Sequence, residues 1–328
     1  MNETNSDTNE VIAIELINYD KLISNRDLLL GMPIRLKYDE DSKYLFIQDL
    51  GNWGIIELDD SSNFVKKFGS RGSGPGELQE LSDFFITKNN LFIVDAVQYV
   101  IHKYRRHDGQ HISSLNYGNF LSEIEVSSDN KILLPRKPSL IDNNNQPFVT
   151  LNEKILLPSL ANGEFLFQLI NWNGDKLTGI GEISTECKTT EDYDKIRMAL
   201  TNREVPARDA CLVFPVNDPT NLDEIFLVYS AIPKIAKYSL SGQKIWEQTI
   251  PRTPEVDSLM TDLSNIVNSR TNHHNSLFPV RKYIAGRSGP EGELYLFTYT
   301  NLHTPIILRP MWMHKFDSQG NLMNRYKI

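Results

Sequence analysis

The residues best suited to chemistry are acids placed where apolar runs begin or end. Asp49 closes YLFIQD, Asp95 closes LFIVD and Glu123 opens EIEVSS. Carboxylates at matching positions of repeated units are a donor set for a divalent cation that activates water, so these three are the candidate metal ligands of a hydrolase acting on lactones or esters. The competing reading for the two aspartates is structural, because an Asp at a strand end accepts hydrogen bonds from the turn it starts. No other cofactor is expected. His273 and His274 are adjacent in a polar stretch and lack the spacing of a metal pair. His102, His107 and His111 lie among Lys103, Arg105 and Arg106, which predicts an exposed strand face and hairpin. GxSxG is absent, so no nucleophile elbow is indicated. The run GSRGSGPGE lacks the Lys and Ser or Thr of a phosphate-cradling loop and joins two strands rather than opening a helix. Its Gly72, Gly74, Pro75 and Gly76 are expected to permit a tight crossing, with Arg71 and Glu77 as flanking partners. Cys187 and Cys211 lack framework or zinc spacing and are expected to be ordinary thiols.

Composition narrows the classes. With 34 basic against 42 acidic residues the net charge is −8, and the cations are scattered, so a nucleic-acid partner is not expected. No window reaches the roughly 18 to 20 consecutive apolar residues that a membrane-spanning helix requires. Residues 1–10, MNETNSDTNE, read as a flexible N-terminal tether, and 11–328 as a single domain.

What must position the acids is a repeat. YLFIQD, GIIELDD and NFVKKFG recur as LFIVD, VIHKYRRHDG and HISSLNY, and again as EIFLVYS, KIAKYSLSG and KIWEQTI. The step from Leu45 to Leu58 equals that from Leu91 to Tyr104 and from Ile225 to Tyr238. A degenerate copy runs KILLPR, FLFQLINWNG, KLTGIG, and a stretched one ELYLFTY, MWMHKFDSQG, LMNRYKI. Runs rich in Val, Ile, Phe and Tyr, separated by DSSN, HDG, WNG, LSG and SQG, are strands joined by hairpin turns. A further apolar run precedes each copy, which makes four strands per unit. Such units bury both faces by stacking radially, so the fold class is all-β, a single β-propeller of four-stranded antiparallel blades. Five blades are clear. A sixth is expected from VIAIELI at 11–17 together with FVTLNEKILLPSL at 148–160.

FVKKFGSRGSGPGEL followed by LFIVDAVQYVIHKYRRHDG resembles the NHL-like six-bladed β-propellers of Bacteroidetes, with Gly72, Gly74, Pro75, Gly76 and Glu77 the most specific piece. The resemblance implies six blades and an extracytoplasmic protein of the cell envelope, often held by a lipid anchor on a removed leader. It implies no particular ligand.

With strands lettered a to d from the channel outward, d-to-a and b-to-c connections share one face. The insertions at 137–164, 182–209, 251–278 and 300–310 all fall in such connections, and 189–200 and 254–267 read as helices. Elaboration on one side of a rigid scaffold marks a recognition surface. Its candidate binding residues are Asp49, Asp95, Arg136, Tyr229 and Thr298 at the ends of second strands, with Trp53, Tyr99 and Trp312 beside them. The expected function is a non-catalytic module that binds a peptide, glycan or partner protein there and at the channel mouth. The alternatives are the metal-dependent hydrolase and a structural subunit of an envelope assembly.

Overall fold

The computed structural model describes residues 11–13, 30–121, 146–158, 164–183, 193–269, 280–299 and 311–328. After β1 (Val11–Ala13), the first blade pairs β2 (Pro33–Asp39), β3 (Tyr44–Asp49), β4 (Gly54–Leu58) and β5 (Phe64–Phe68) in order. A small parallel pair, β6 (Ser70–Arg71) and β7 (Glu77–Leu78), leads to the second blade. There β8 (Leu81–Ile86), β9 (Asn90–Asp95), β10 (Val100–Arg105) and β11 (His111–Asn116) form a sheet, followed by the short α1 (Gly118–Leu121). The third blade holds β12 (Phe148–Val149), β13 (Ile155–Pro158), β14 (Phe165–Ile170) and β15 (Lys176–Glu182). Helix α2 (Tyr193–Thr201) precedes the fourth, β16 (Val213–Asn217), β17 (Glu224–Tyr229), β18 (Lys234–Ser239) and β19 (Lys244–Thr249). Helix α3 (Pro254–Ser269) precedes the fifth, β20 (Ala285–Ser288), β21 (Leu294–Tyr299), β22 (Met311–Phe316) and β23 (Leu322–Lys327). The protein is thus an all-β propeller of four-stranded antiparallel blades with few helices.

The repeated spacing has a direct meaning in the sheets. Leu45 faces Leu58, Leu91 faces Tyr104 and Ile225 faces Tyr238, so each matched pair is a cross-strand pair of second and third strands. Next to each third-strand partner the pairing with the fourth strand slips by a bulge, at Glu57/Leu58, Lys103/Tyr104 and Lys237/Tyr238. The hairpins form as expected: Gly109, Gly174, Gly242 and Gly320 take positive φ, although in DSSN the residue that does so is Ser62. Central strands are buried on both faces, as β4 is along its whole length, whereas β11 alternates between half-buried and exposed. The apolar runs are therefore continuous in the middle of the first, second and fourth blades, whereas β21 of the fifth alternates between buried and half-buried.

Contacts divide the chain into two compact units, residues 17–162 with 167–178, and residues 1–16, 163–166 and 179–328. In the first, Phe46, Ile55, Phe68, Leu81, Phe84 and Ile93 form one buried cluster joining the first two blades. In the second, Phe214, Phe226, Val228, Tyr283, Leu296 and Phe316 join the fourth and fifth.

Three expectations are corrected. FVTLNEKILLP supplies β12 and β13 of the third blade, not part of a sixth, so 137–164 is not a connection between second and third strands. KILLPR at 131–136 lies outside the described residues. Of the VIAIELI run, residues 11–13 form β1, which pairs in parallel with β23 as an added strand of the fifth blade, and residues 14–17 lie outside the described residues. Among the described residues there are five blades. Finally, Cys211 is disulfide-bonded rather than a free thiol; Cys187 lies outside the described residues.

Candidate functional site

Asp49 and Asp95 are both fully buried where a second strand ends. Asp49 Oδ1 accepts the amides of Met32 at 2.7 Å, Gly51 at 2.9 Å and Asn52 at 3.2 Å, while Oδ2 accepts Gly31 N–H and the Asn52 side-chain amide, each at 2.8 Å. Asp95 repeats the device with Val97 and Gln98 on Oδ1 and Gln79 and Glu80 on Oδ2. Each carboxylate ties the turn after its strand to the segment that enters its blade. The two kinds of connection therefore emerge at the same end of both blades. A carboxylate offers about four acceptor sites, and these are taken. Burial opposes the charge on Asp49, but the amides of Met32 and Gly31 and the Asn52 side chain hold its carboxyl below the usual range. A cation would have to displace these bonds, so neither aspartate fits a metal ligand. Glu123 lies outside the described residues, among which no three His, Cys, Asp or Glu side chains are grouped to hold a metal.

The other strand-end residues are interior as well. Tyr229 is 4% and Thr298 0% exposed, and Lys234 Nζ lies 3.9 Å over the Tyr229 ring. Arg136 lies outside the described residues. Trp53 and Tyr99 occupy equivalent turn positions after their aspartates, both with left-handed backbones at φ 51° and 55°. Both are half-buried, as is Trp312, which pairs with Thr298. Of the described candidates, then, Trp53, Tyr99 and Trp312 reach the surface, whereas Asp49, Asp95, Tyr229 and Thr298 do not. Asp49, Trp53, Arg71, Asp95 and Tyr99 belong to the first unit, Tyr229, Thr298 and Trp312 to the second.

The glycine-rich run is a hook. Glu77 turns back to accept Gly74 N–H at 2.8 Å, Tyr104 donates its hydroxyl to Gly76 O at 2.6 Å, and the Arg71 guanidinium stacks 4.7 Å from the Trp53 ring. Gly76 has φ 75°, and a Cβ there would lie 2.7 Å from the His111 ring. Gly76→Ala is expected to lower stability by at least the roughly 1–2 kcal/mol of a left-handed alanine, read as an earlier denaturant midpoint; an unchanged midpoint would mean that the hook does not form. Pro75 lies within this turn.

His102 corrects the expectation of an exposed face: it is 2% exposed, and its Nδ1 shares the Ser114 hydroxyl with His111 Nε2, each at 2.9 Å. Burial, then the neighbouring His111, lowers its pKa to about 4, so at neutral pH it is an uncharged member of the blade. His273 and His274 lie outside the described residues.

In the second unit the two insertions converge. Ile196 and Leu200 of α2 pack with Met260 and Val267 of α3, over Ala231 in the turn after β17 and Val280 before β20. Ser264 Oγ donates to Thr201 O at 2.9 Å, and Val280 N–H donates to the buried Asp209 at 2.9 Å. Nothing in single spacings signalled that α2 and α3 touch. The base of α3 is fixed by Glu255, whose carboxylate meets His314 Nε2 at 2.6 Å and Arg325 Nη1 at 3.1 Å, all three largely buried. Sequence reasoning missed this cluster because its members are widely separated along the chain. No helix among the described residues is long and apolar enough to cross a membrane.

The architecture, with acid-capped turns and helical insertions at the blade ends, is that of a β-propeller protein built to present connections. Residues 2–158 match the model of a family described as DUF5128, 6-bladed beta-propeller. The resemblance to six-bladed propellers is thereby upheld over that stretch. Among solved structures, a member of the duf4221 family from Bacteroides vulgatus is similar at 8% identity, with a TM-score of 0.53, over 92% of this chain and 82% of that one. A protein of unknown function from Bacteroides caccae is similar at 11% identity, with a TM-score of 0.45, over 89% of this chain and 80% of the other. No curated protein matches the sequence.

Proposed function

We propose that the protein is a non-catalytic binding module that recognises a peptide, glycan or partner protein through the blade ends carrying the insertions. The observation behind this reading is the convergence of α2 and α3. Two segments from separate connections pack into one surface, and Met198, at 63% exposure, lies opposite the buried Ile196 and Leu200 on α2. The hydrolase reading is weakened because Asp49 and Asp95 are engaged as caps. The disulfide at Cys211 favours an oxidising compartment and hence an extracytoplasmic, cell-envelope location. An envelope subunit would use the same surface, with another protein as its ligand.

Met198→Glu places a charge on that surface without touching the core. On arrays of peptides and glycans, and against envelope proteins by crosslinking, it is expected to weaken any ligand of the wild-type chain about tenfold or more, the effect of charging an interface centre. Met323, 50% exposed on β23, supplies the control Met323→Glu. Equal retention of ligand by both variants would exclude the helical surface.

A further inference from the structure

At the opposite end of the first two blades, where their first-to-second and third-to-fourth strand turns lie, is a cavity of about 730 Å3. Its deepest polar group is Glu57, whose side chain is 2% exposed. Glu57 Oε2 lies 3.5 Å from Lys66 Nζ and accepts no hydrogen bond. The inner cations are already engaged in building the wall. Lys66 donates to the carbonyls of Arg106 at 2.7 Å and His107 at 2.9 Å, and Arg106 is bound to Asp39 at 2.6 Å and Ser42 at 2.8 Å. What the cavity offers a ligand is therefore an unfilled acceptor at its floor, the half-buried Tyr44 ring, and a rim where the exposed Lys88 stands beside Arg105, which is paired with Asp108 at 3.0 Å, and the His107 imidazole.

These features restrict the occupant. A buried carboxylate oxygen without a donor is unfavourable, and a ligand hydroxyl relieves it. A cation in that position is opposed by Lys66 and Arg106, and an anion by Glu57 itself, so the inward part of the ligand must be neutral and rich in O–H donors. The rim attracts an acidic group on the outward part. The volume lies within the range of small-molecule sites, and a flat aromatic face suits a sugar ring. We infer that this cavity binds a small polyhydroxylated anion, its hydroxyls on Glu57 and its carboxylate or phosphate on the Lys88 rim. The inference is independent of the surface on α2 and α3.

Calorimetric titration of the full chain with gluconate, glucuronate, glucose 6-phosphate, glucose and inorganic phosphate tests it. At least one sugar acid or sugar phosphate is expected to bind with a Kd of order 0.1–1 mM, and glucose and phosphate about tenfold or more weaker; which acid binds separates carboxylate from phosphate ester. Lys88→Glu, a change at an exposed side chain, is expected to weaken that ligand about tenfold, and Glu57→Gln by a similar factor. The inference is overturned if none of the three hydroxylated anions binds at about 10 mM, if inorganic phosphate binds as tightly as they do, or if Lys88→Glu leaves the affinity unchanged.

Discussion

Asp49→Ala is expected to destabilise the protein by about 4 kcal/mol, seen as a large fall in the denaturant midpoint. The carboxylate holds four backbone amides and one side-chain amide at a fully buried position. Alanine leaves those donors without their acceptor, at about 1–3 kcal/mol for each that stays buried, offset in part where water reaches the amides of the exposed Gly31, Met32 and Gly51. Asp49→Asn keeps the shape but replaces one acceptor oxygen with a donor facing donors, and about 2 kcal/mol is expected. The folded carboxyl titrates below its unfolded value, so its contribution is complete above the unfolded pKa and is lost as pH falls through the folded one. Wild type should therefore lose more stability than Asp49→Ala on acidification. A midpoint for Asp49→Ala within about 1 kcal/mol of wild type would show that the cap does not hold the blade entrance.

The second large effect belongs to Glu255. Glu255→Ala leaves His314 and Arg325 buried without their carboxylate, and removing one partner of a buried ion pair costs about 3–5 kcal/mol. Because Glu255 stands in the first turn of α3, the loss should appear as early hydrogen exchange along α3 before global unfolding. Burial raises the Glu255 carboxyl, but the bond from His314 and the nearby Arg325 charge outweigh it, so the net shift is downward. Stability from this contact is present above the unfolded carboxylate pKa and lost as pH falls through the lowered one. If α3 exchanges in Glu255→Ala as slowly as in wild type, the cluster does not anchor the helix.

Much of the blade pattern was legible because it is local. A step such as Leu45 to Leu58 is legible where a tight turn joins second to third strands, since the turn fixes register and register fixes which residues face each other. Asp49 and Asp95 were also legible as turn caps, since an aspartate and the amides two and three residues further on lie within one turn. Their other partners, Gly31 and Met32 or Gln79 and Glu80, were not, because those amides arrive from a different segment.

The third blade shows the boundary most clearly. KILLP stands at both 131–135 and 154–158, and no local property distinguishes the two copies. Pairing of Ile155 with Ile170 and Leu156 with Leu169 places the second copy in the sheet. Identical strand propensity gives identical local preference, and the choice between copies comes from long-range hydrogen bonds and packing. The sequence by itself determined four-stranded blades, their hairpins and the connections that carry α2 and α3, but not the connection interrupted near the third blade. Tertiary structure alone decided which segments fill the third blade, that α2 and α3 meet, that Glu255 finds His314 and Arg325, and that Glu57 ends beneath a cationic rim. Each of these depends on groups far apart in the chain being brought together, which no periodicity within one segment encodes.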